Sequence, residues 1–307
     1  LMIQAVQRPE RGRWLTVAAV ASQVVSLFSV EYFFGLEFLR PVILWWILKD
    51  KVDEPRTCLR QVLLKWLPYL VALVGYLYWR VFIFEFPTYQ PRLLEGFTAE
   101  PLKAALLFVV RMLRDFRLVT YGAWRQVFSL PEESQYILPG VGIILASAAL
   151  LIFFMLRYPK RHREEADSAR LHWKDWSVQG LLFGVAALVL GGMPIWIAEI
   201  PLELVFPWDR STLSFMFGIS FALVALVYLI IRSPFRVFIL GALAALALGY
   251  HFQNAIDYKN EQEKLRSFYW ELAWRAPGLE PGTILVFQDI PLNRVGDISM
   301  TDRKSVV

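Results

Sequence analysis

Apolar blocks about as long as a bilayer core is thick recur along this chain, and they restrict its fold more than any short motif does. A helix needs about 20 such residues to cross the hydrocarbon layer. Spans are predicted near 14–30, 33–48, 66–86, 137–156, 178–197, 213–231 and 235–251, about seven in all. Composition agrees: 57% of the 307 residues are hydrophobic and 19% charged, against about 25% charged in a soluble domain. With Gly and Pro at 17 each, collagen-like and linker-dominated chains are excluded. The single cysteine, Cys58, rules out a disulfide framework or a cysteine-based zinc site.

The second block is the shortest. Its core, Phe38 to Leu48, needs part of the polar-aromatic stretch Glu31-Tyr32-Phe33-Phe34-Gly35-Leu36-Glu37 to span, so the first two blocks read as a tight helical hairpin.

The formal charge of +5 is an orientation signal rather than a nucleic-acid one. If the first block leaves the cytoplasm, sixteen Lys and Arg residues fall on the inner side, among them Arg8, Lys49, Arg60, Arg161 and Arg236. The short outer connections hold only Arg40 and Arg210. The positive-inside rule then places the N-terminus in the cytoplasm and the C-terminal tail outside.

Two outer segments are long. Leu102, Ala105, Leu106, Val109, Val110, Leu113 and Phe116 follow helical spacing, with Lys103, Arg111, Arg114, Asp115 and Arg117 between them. That pattern predicts an amphipathic helix too short in apolar run to span, lying flat on the outer leaflet. The tail opens with a polar helical stretch, Asn254 to Arg275. Pro and Gly breakers follow, and then Thr283-Ile284-Leu285-Val286-Phe287, which has strand propensity. The expected fold is all-α integral membrane, with an outer interfacial helix and the start of a small C-terminal α/β extramembrane domain. Residues 1–252 form the polytopic part and 253–307 an extracytoplasmic tail; the polar ends read as those of a piece of a longer protein.

Motifs of soluble enzymes are absent: no dinucleotide fingerprint, phosphate loop or His-Glu-x-x-His. His162, His172 and His251 have no ligand partner at usable spacing, so no metal and no cofactor is expected. Ionisable residues at membrane depth are the better candidates, because an unpaired charge there is costly. Glu31, Glu37 and Arg40 cluster in the first hairpin, with Glu37 and Arg40 at i, i+3. They serve either as a local ion pair at the turn or as a site for a charged group. Arg80, near Glu85, either snorkels to the headgroups or contacts a phosphate. In the loop Glu199 to Ser211, Arg210 is a fork donor for an anionic headgroup with Asp209 orienting it, unless Asp209 simply caps the next helix. Tryptophans near block ends, Trp14, Trp176, Trp196 and Trp208 among them, are read as interface anchors.

Several of these features together resemble a family. They are Ser-x-x-Ser-x-Glu (Ser26 to Glu31), Arg40-Pro41, a basic inner loop, Tyr-x-Tyr-Trp-Arg (Tyr76 to Arg80) and Ala-Pro-Gly-Leu-Glu-Pro-Gly-Thr (Ala276 to Thr283). The layout is similar to the C-terminal portion of bacterial membrane glycosyltransferases of the GT-C type, the protein O-mannosyltransferase-like enzymes. The resemblance implies the bacterial inner (plasma) membrane and a polyprenyl-phosphate-linked sugar as donor. It implies inverting transfer, with a carboxylate in a loop upstream of Leu1 activating the acceptor. Arg80 and Arg210 would then meet the departing lipid phosphate, in a cavity that includes Glu31, Glu37, Arg40 and Asp209. Membrane lipid and the donor are the expected partners, and nucleic acid is not. A transporter or flippase remains the alternative, weakened by later spans almost free of charge and by the lack of an internal repeat. A membrane scaffold is the third reading.

Overall fold

A computed structural model describes residues 1–52, 54–84, 100–128, 136–157, 166–205, 208–280 and 283. Among them the chain is mostly helical and contains no strand. The helices are α1 (Met2–Gln7), α2 (Gly12–Ser29), α3 (Arg40–Leu48), α4 (Pro55–Tyr78), α5 (Pro101–Arg117), α6 (Ala123–Gln126), α7 (Ile137–Arg157), α8 (Ala166–Ile197), α9 (Leu213–Ile230) and α10 (Ser233–Arg275). A π-turn, Trp79–Ile83, extends α4, and a second, Leu118–Gly122, follows α5. Two compact units emerge: Leu1–Arg117 with Gln179–Leu202 and Ser211–Leu223, and Leu118–Val178 with Glu203–Arg210 and Val224–Val307.

Five described helical segments are long and apolar enough to cross a membrane: Pro55–Ile83, Ile137–Phe154, Trp176–Ile197, Asp209–Ile230 and Phe235–Arg275. This is an all-α membrane protein, but the expected seven spans become five. Both segments of the first hairpin drop out. Helix α2 is 18 residues long, with Arg13 in its first turn and Thr16, Ser22 and Gln23 along it. The returning segment is a nine-residue 3-10 stretch, Glu31–Leu39, feeding the nine-residue α3. The third span starts at Pro55 rather than Trp66 because the charged first turns continue the same helix.

The C-terminal expectation also changes. Helix α10 runs without interruption for 43 residues, joining the predicted seventh span to the polar stretch after it. No Pro or Gly interrupts the sequence between His251 and Arg275. The strand expected at Thr283–Phe287 lies, apart from Thr283, outside the described residues, so the α/β domain gains no support. Likewise α8 begins at Ala166, inside the segment read from the sequence as a basic inner loop.

In the first unit, the packing of the 3-10 segment on α8 follows from a proline. Pro194 sits inside α8 and has no N–H to offer the carbonyl of Leu190, four residues earlier. Gly35 comes to that oxygen: a Cβ at Gly35 would overlap the Leu190 carbonyl and lie 3.2 Å from Pro194 Cδ. A glycine Cα hydrogen fits where a side chain cannot, and Cα–H···O contacts of this kind recur where helices approach closely. Helices α8 and α9 meet in the same unit through small residues, a Cβ at Gly184 lying 2.6 Å from the Ala222 nitrogen.

The second unit pairs α7 with α10 in antiparallel register, Gly241 against Ile152 and Gly249 against Ile144. Arg236 closes the end of α9. Its Nε donates to the Ile231 carbonyl and its Nη2 to that of Tyr228, both at 2.8 Å, while the guanidinium covers the Tyr228 ring. A cation answering the last carbonyls of a helix is a favoured arrangement.

Gly35→Ala should lower stability in detergent by about 1–3 kcal/mol through forced separation of the 3-10 segment from α8. Gly75→Ala, with nothing within 4 Å of its Cβ position, should not. Thermal unfolding of the two variants side by side checks the contrast; equal midpoints would refute it.

Candidate functional site

Tyr69, Leu73, Tyr76 and Arg80 are spaced four, three and four residues apart, so they share one face of α4 and its π-turn. Gln23 and Leu27 share a face of α2, and Glu31 follows at the start of the 3-10 segment after the extended Val30. The two rows meet at their ends: Arg80 Nε donates to Glu31 Oε2 at 2.7 Å. Arg80 lies in the π-turn closed by the Phe84 N–H on the Trp79 carbonyl at 2.9 Å, and such turns concentrate at functional positions. Aromatic rings surround the pair. Phe28 lies 4.9 Å from Trp79 and 5.4 Å from Tyr76, Trp79 is 4.8 Å from Phe84, and the Arg80 guanidinium stands 5.2 Å from the Phe84 ring centre.

The second pair lies deeper. Arg40 Nη2 donates to Glu37 Oε1 at 2.8 Å and Nε to the other oxygen, a bidentate fork. The guanidinium also sits 4.7 Å from the Tyr69 ring centre, with Nη1 toward Met2 Sδ. Tyr69 is 14 residues from either end of the Pro55–Ile83 segment, about 21 Å from each, so the ion pair stands beside the middle of a spanning helix. Gln23, buried, donates from Nε2 to the Tyr69 carbonyl at 3.1 Å. Its Oε1 has no hydrogen-bond partner among the described residues.

A third cluster was not read from the sequence as a site. Asp115, assigned there to the polar outer face of the amphipathic helix, is 0% exposed. It accepts from the indole Nε1 of Trp196 at 3.0 Å and from Arg114 at 3.1 Å, with Arg111 Nε 3.9 Å away. Phe108, Phe116 and Phe215 meet the Trp196 ring edge to face at 5.6–5.8 Å. Trp196, expected as an interface anchor, is buried as the donor to this carboxylate.

The chain turns after α8 through Glu199, held at φ 53°. The Ile200 N–H bonds the Ile195 carbonyl at 3.0 Å and the Glu199 N–H that of Trp196 at 3.3 Å. This is a Schellman closure with glutamate where glycine is usual. It aims the Ile200 carbonyl at Arg111, whose Nη2 donates to it at 2.8 Å. Nearby in sequence, the Ser211 and Ser214 hydroxyls are buried and without partners among the described residues.

Asp209 and Arg210 do not form the fork-and-orienter pair foreseen. Asp209 Oδ1 accepts the backbone N–H of Arg210 at 2.9 Å, and Tyr258 donates to Oδ2 at 3.4 Å. The carboxylate thus opens the 3-10 turn Asp209–Thr212, while the Arg210 side chain is exposed. Glu85, the other neighbour proposed for Arg80, lies outside the described residues.

The structure therefore joins Glu31 to Arg80 and Glu37 to Arg40, and it adds Asp115, Arg111, Arg114 and Trp196. The Arg111–Asp115 spacing of four was visible in the sequence; the distant Trp196 was not. Among the described residues no group of three or more His, Cys, Asp or Glu is placed to hold a metal. Compared with protein-family models, with curated proteins and with solved structures, the chain matches none.

Trp196→Phe removes a donor from a buried carboxylate and should cost about 1–3 kcal/mol, read as a lower unfolding midpoint in detergent; an unchanged midpoint would show that the indole is dispensable. Glu199→Gly should act the other way, raising stability by up to about 1 kcal/mol through relief of the left-handed backbone.

Proposed function

We propose that this chain works in an integral membrane glycosyltransferase that draws its sugar from a polyprenyl phosphate, with Arg80 at the carrier phosphate. The observation that carries this reading is the Glu31–Arg80 pair, set among aromatic rings on a π-turn at the end of a spanning helix. A departing lipid phosphate develops negative charge, and a positioned guanidinium stabilises it. Glu31 orients the guanidinium, and Trp79, Phe84 and Phe28 offer apolar ring faces to the carrier or the sugar. Arg210, exposed at the Asp209–Thr212 turn, keeps the separate role expected from the sequence, as a cation for an anionic headgroup.

In this reading the first hairpin also crosses the membrane, restoring seven spans. Nine 3-10 residues rise about 2.0 Å each and nine α-helical residues about 1.5 Å each, together about 31 Å, close to the hydrocarbon thickness. The positive-inside count puts the N-terminus in the cytoplasm of a bacterial cell and the end of α10 outside.

Membranes containing the full-length protein, with the loop expected upstream of Leu1, should transfer labelled sugar from a polyprenyl-phosphate donor. Arg80→Ala should lower transfer about a hundredfold, and Arg210→Ala should lower it with insertion intact. Normal transfer by both variants would remove these arginines from the site, and no transfer by the unaltered full-length protein would remove the reading. A reporter fused after Val307 and active only in the cytoplasm would reverse the topology.

A transporter is favoured by one observation, the interrupted hairpin helix of Glu31–Leu48 with the Glu37–Arg40 pair beside the midpoint of the Pro55–Ile83 segment. Lipid flux across reconstituted vesicles without sugar transfer would decide for it.

A further inference from the structure

Helix α5 is mounted inside out for a protein in water. Leu102 is 88% exposed, Leu106 66% and Leu113 63%, with Val109 and Val110 beside them. Its inward stripe is Ala104, Phe108, Arg111 and Asp115, spaced by four, three and four. The Asp115 hydrogen bond to Trp196, the Arg111 bond to the Ile200 carbonyl and the Phe108 and Phe116 contacts with Trp196 hold that stripe against the protein. The helix therefore cannot roll to hide its leucines. Something apolar covers them, and the chain's own apolar segments place a bilayer within reach.

The third side of the helix says which lipid. Lys103 and Arg114 lie eleven residues, about three turns, apart beside the leucine face, on an edge that also carries the exposed Leu107. Lys103 is 69% exposed and Arg114 58%. Each has a carboxylate neighbour, Glu100 at 2.9 Å and Asp115 at 3.1 Å, yet residues Pro101–Arg117 carry four basic groups and one acidic group. With the leucines in the acyl layer, this edge comes level with the phosphates.

We propose that the Lys103–Arg114 edge of α5 docks the phosphate groups of anionic phospholipids, so that α5 is a surface-lying helix that responds to the charge of the leaflet. The proposal does not depend on the glycosyltransferase reading. An apolar protein partner is the competing occupant, and it is less favoured because the basic edge follows the same axis as the leucine stripe, as a flat layer of headgroups over acyl chains requires.

The test uses the full chain in vesicles. The lone native cysteine, Cys58, is buried, so a cysteine introduced at Leu106 is the one that takes a fluorophore, with the unaltered protein as the labelling control. Phosphatidylcholine brominated on its acyl chains should quench the Leu106 label, and aqueous iodide should not. Brominated phosphatidylglycerol should quench at lower mole fraction, with a preference on the order of ten-fold. That preference should be lost in about 0.5 M salt and reduced in Lys103→Gln and in Arg114→Gln, while quenching by phosphatidylcholine persists. Lys103→Gln, distant from Asp115, serves if Arg114→Gln does not fold. Equal quenching by the two lipids overturns the docking of anionic phospholipid. Protection from both bromine and iodide overturns it in favour of a protein partner, and quenching by iodide places the face in water. Abolition of the preference by inorganic phosphate at low millimolar level would assign a soluble anion instead of the leaflet.

Discussion

A charged or hydrogen-bonding group removed from water has to be answered from within the protein, and in a chain of this composition that requirement shapes the structure. An unpaired ionised group costs several kcal/mol in such surroundings. The buried or half-buried carboxylates of the first unit each find a basic group: Glu31 with Arg80, Glu37 with Arg40, Asp115 with Arg114 and the Trp196 indole. These links tie the 3-10 segment to α3 and to the π-turn ending α4, and α5 to α8, at defined points. Apolar packing alone would allow the same helices to slide, since lipid tails offer leucine as good a contact as another helix does.

The Pro194–Leu190–Gly35 arrangement applies the requirement to the backbone. Proline in a spanning helix deprives one carbonyl of its donor. The deficit is tolerated when a neighbour supplies something to the oxygen, and here the neighbour is the one residue type slim enough to bring its Cα there. The close contact holds the 3-10 segment by its glycine against α8 before it enters α3.

Much of the helical organisation was legible because long apolar runs have one meaning in a chain this poor in charge. The Glu37–Arg40 pair was legible too, since three residues apart on a helix is a contact. Glu31 and Arg80 are 49 residues apart, and no spacing rule predicts that meeting. Asp115 was misplaced for a different reason. Periodicity separates the charged side of a helix from the apolar side but does not say which side faces the protein, and in α5 the usual order is reversed. The continuity of α10 was missed because a change from apolar to polar composition was taken for a boundary, although nothing there stops a helix.

That continuity has a mechanical consequence. Forty-three residues of helix measure about 64 Å, twice the depth of the oily layer. The greasy first part matches that layer, and the remainder continues some 36 Å past it, braced near its start by the Tyr258 hydroxyl on Asp209 and the buried Glu261. A rocking of about 10° at the base, well within the tilts such helices adopt, swings the tip sideways by about 6 Å. Whatever chain is attached beyond Arg275 is thus carried at a set height, and small movements among the embedded helices reach it magnified.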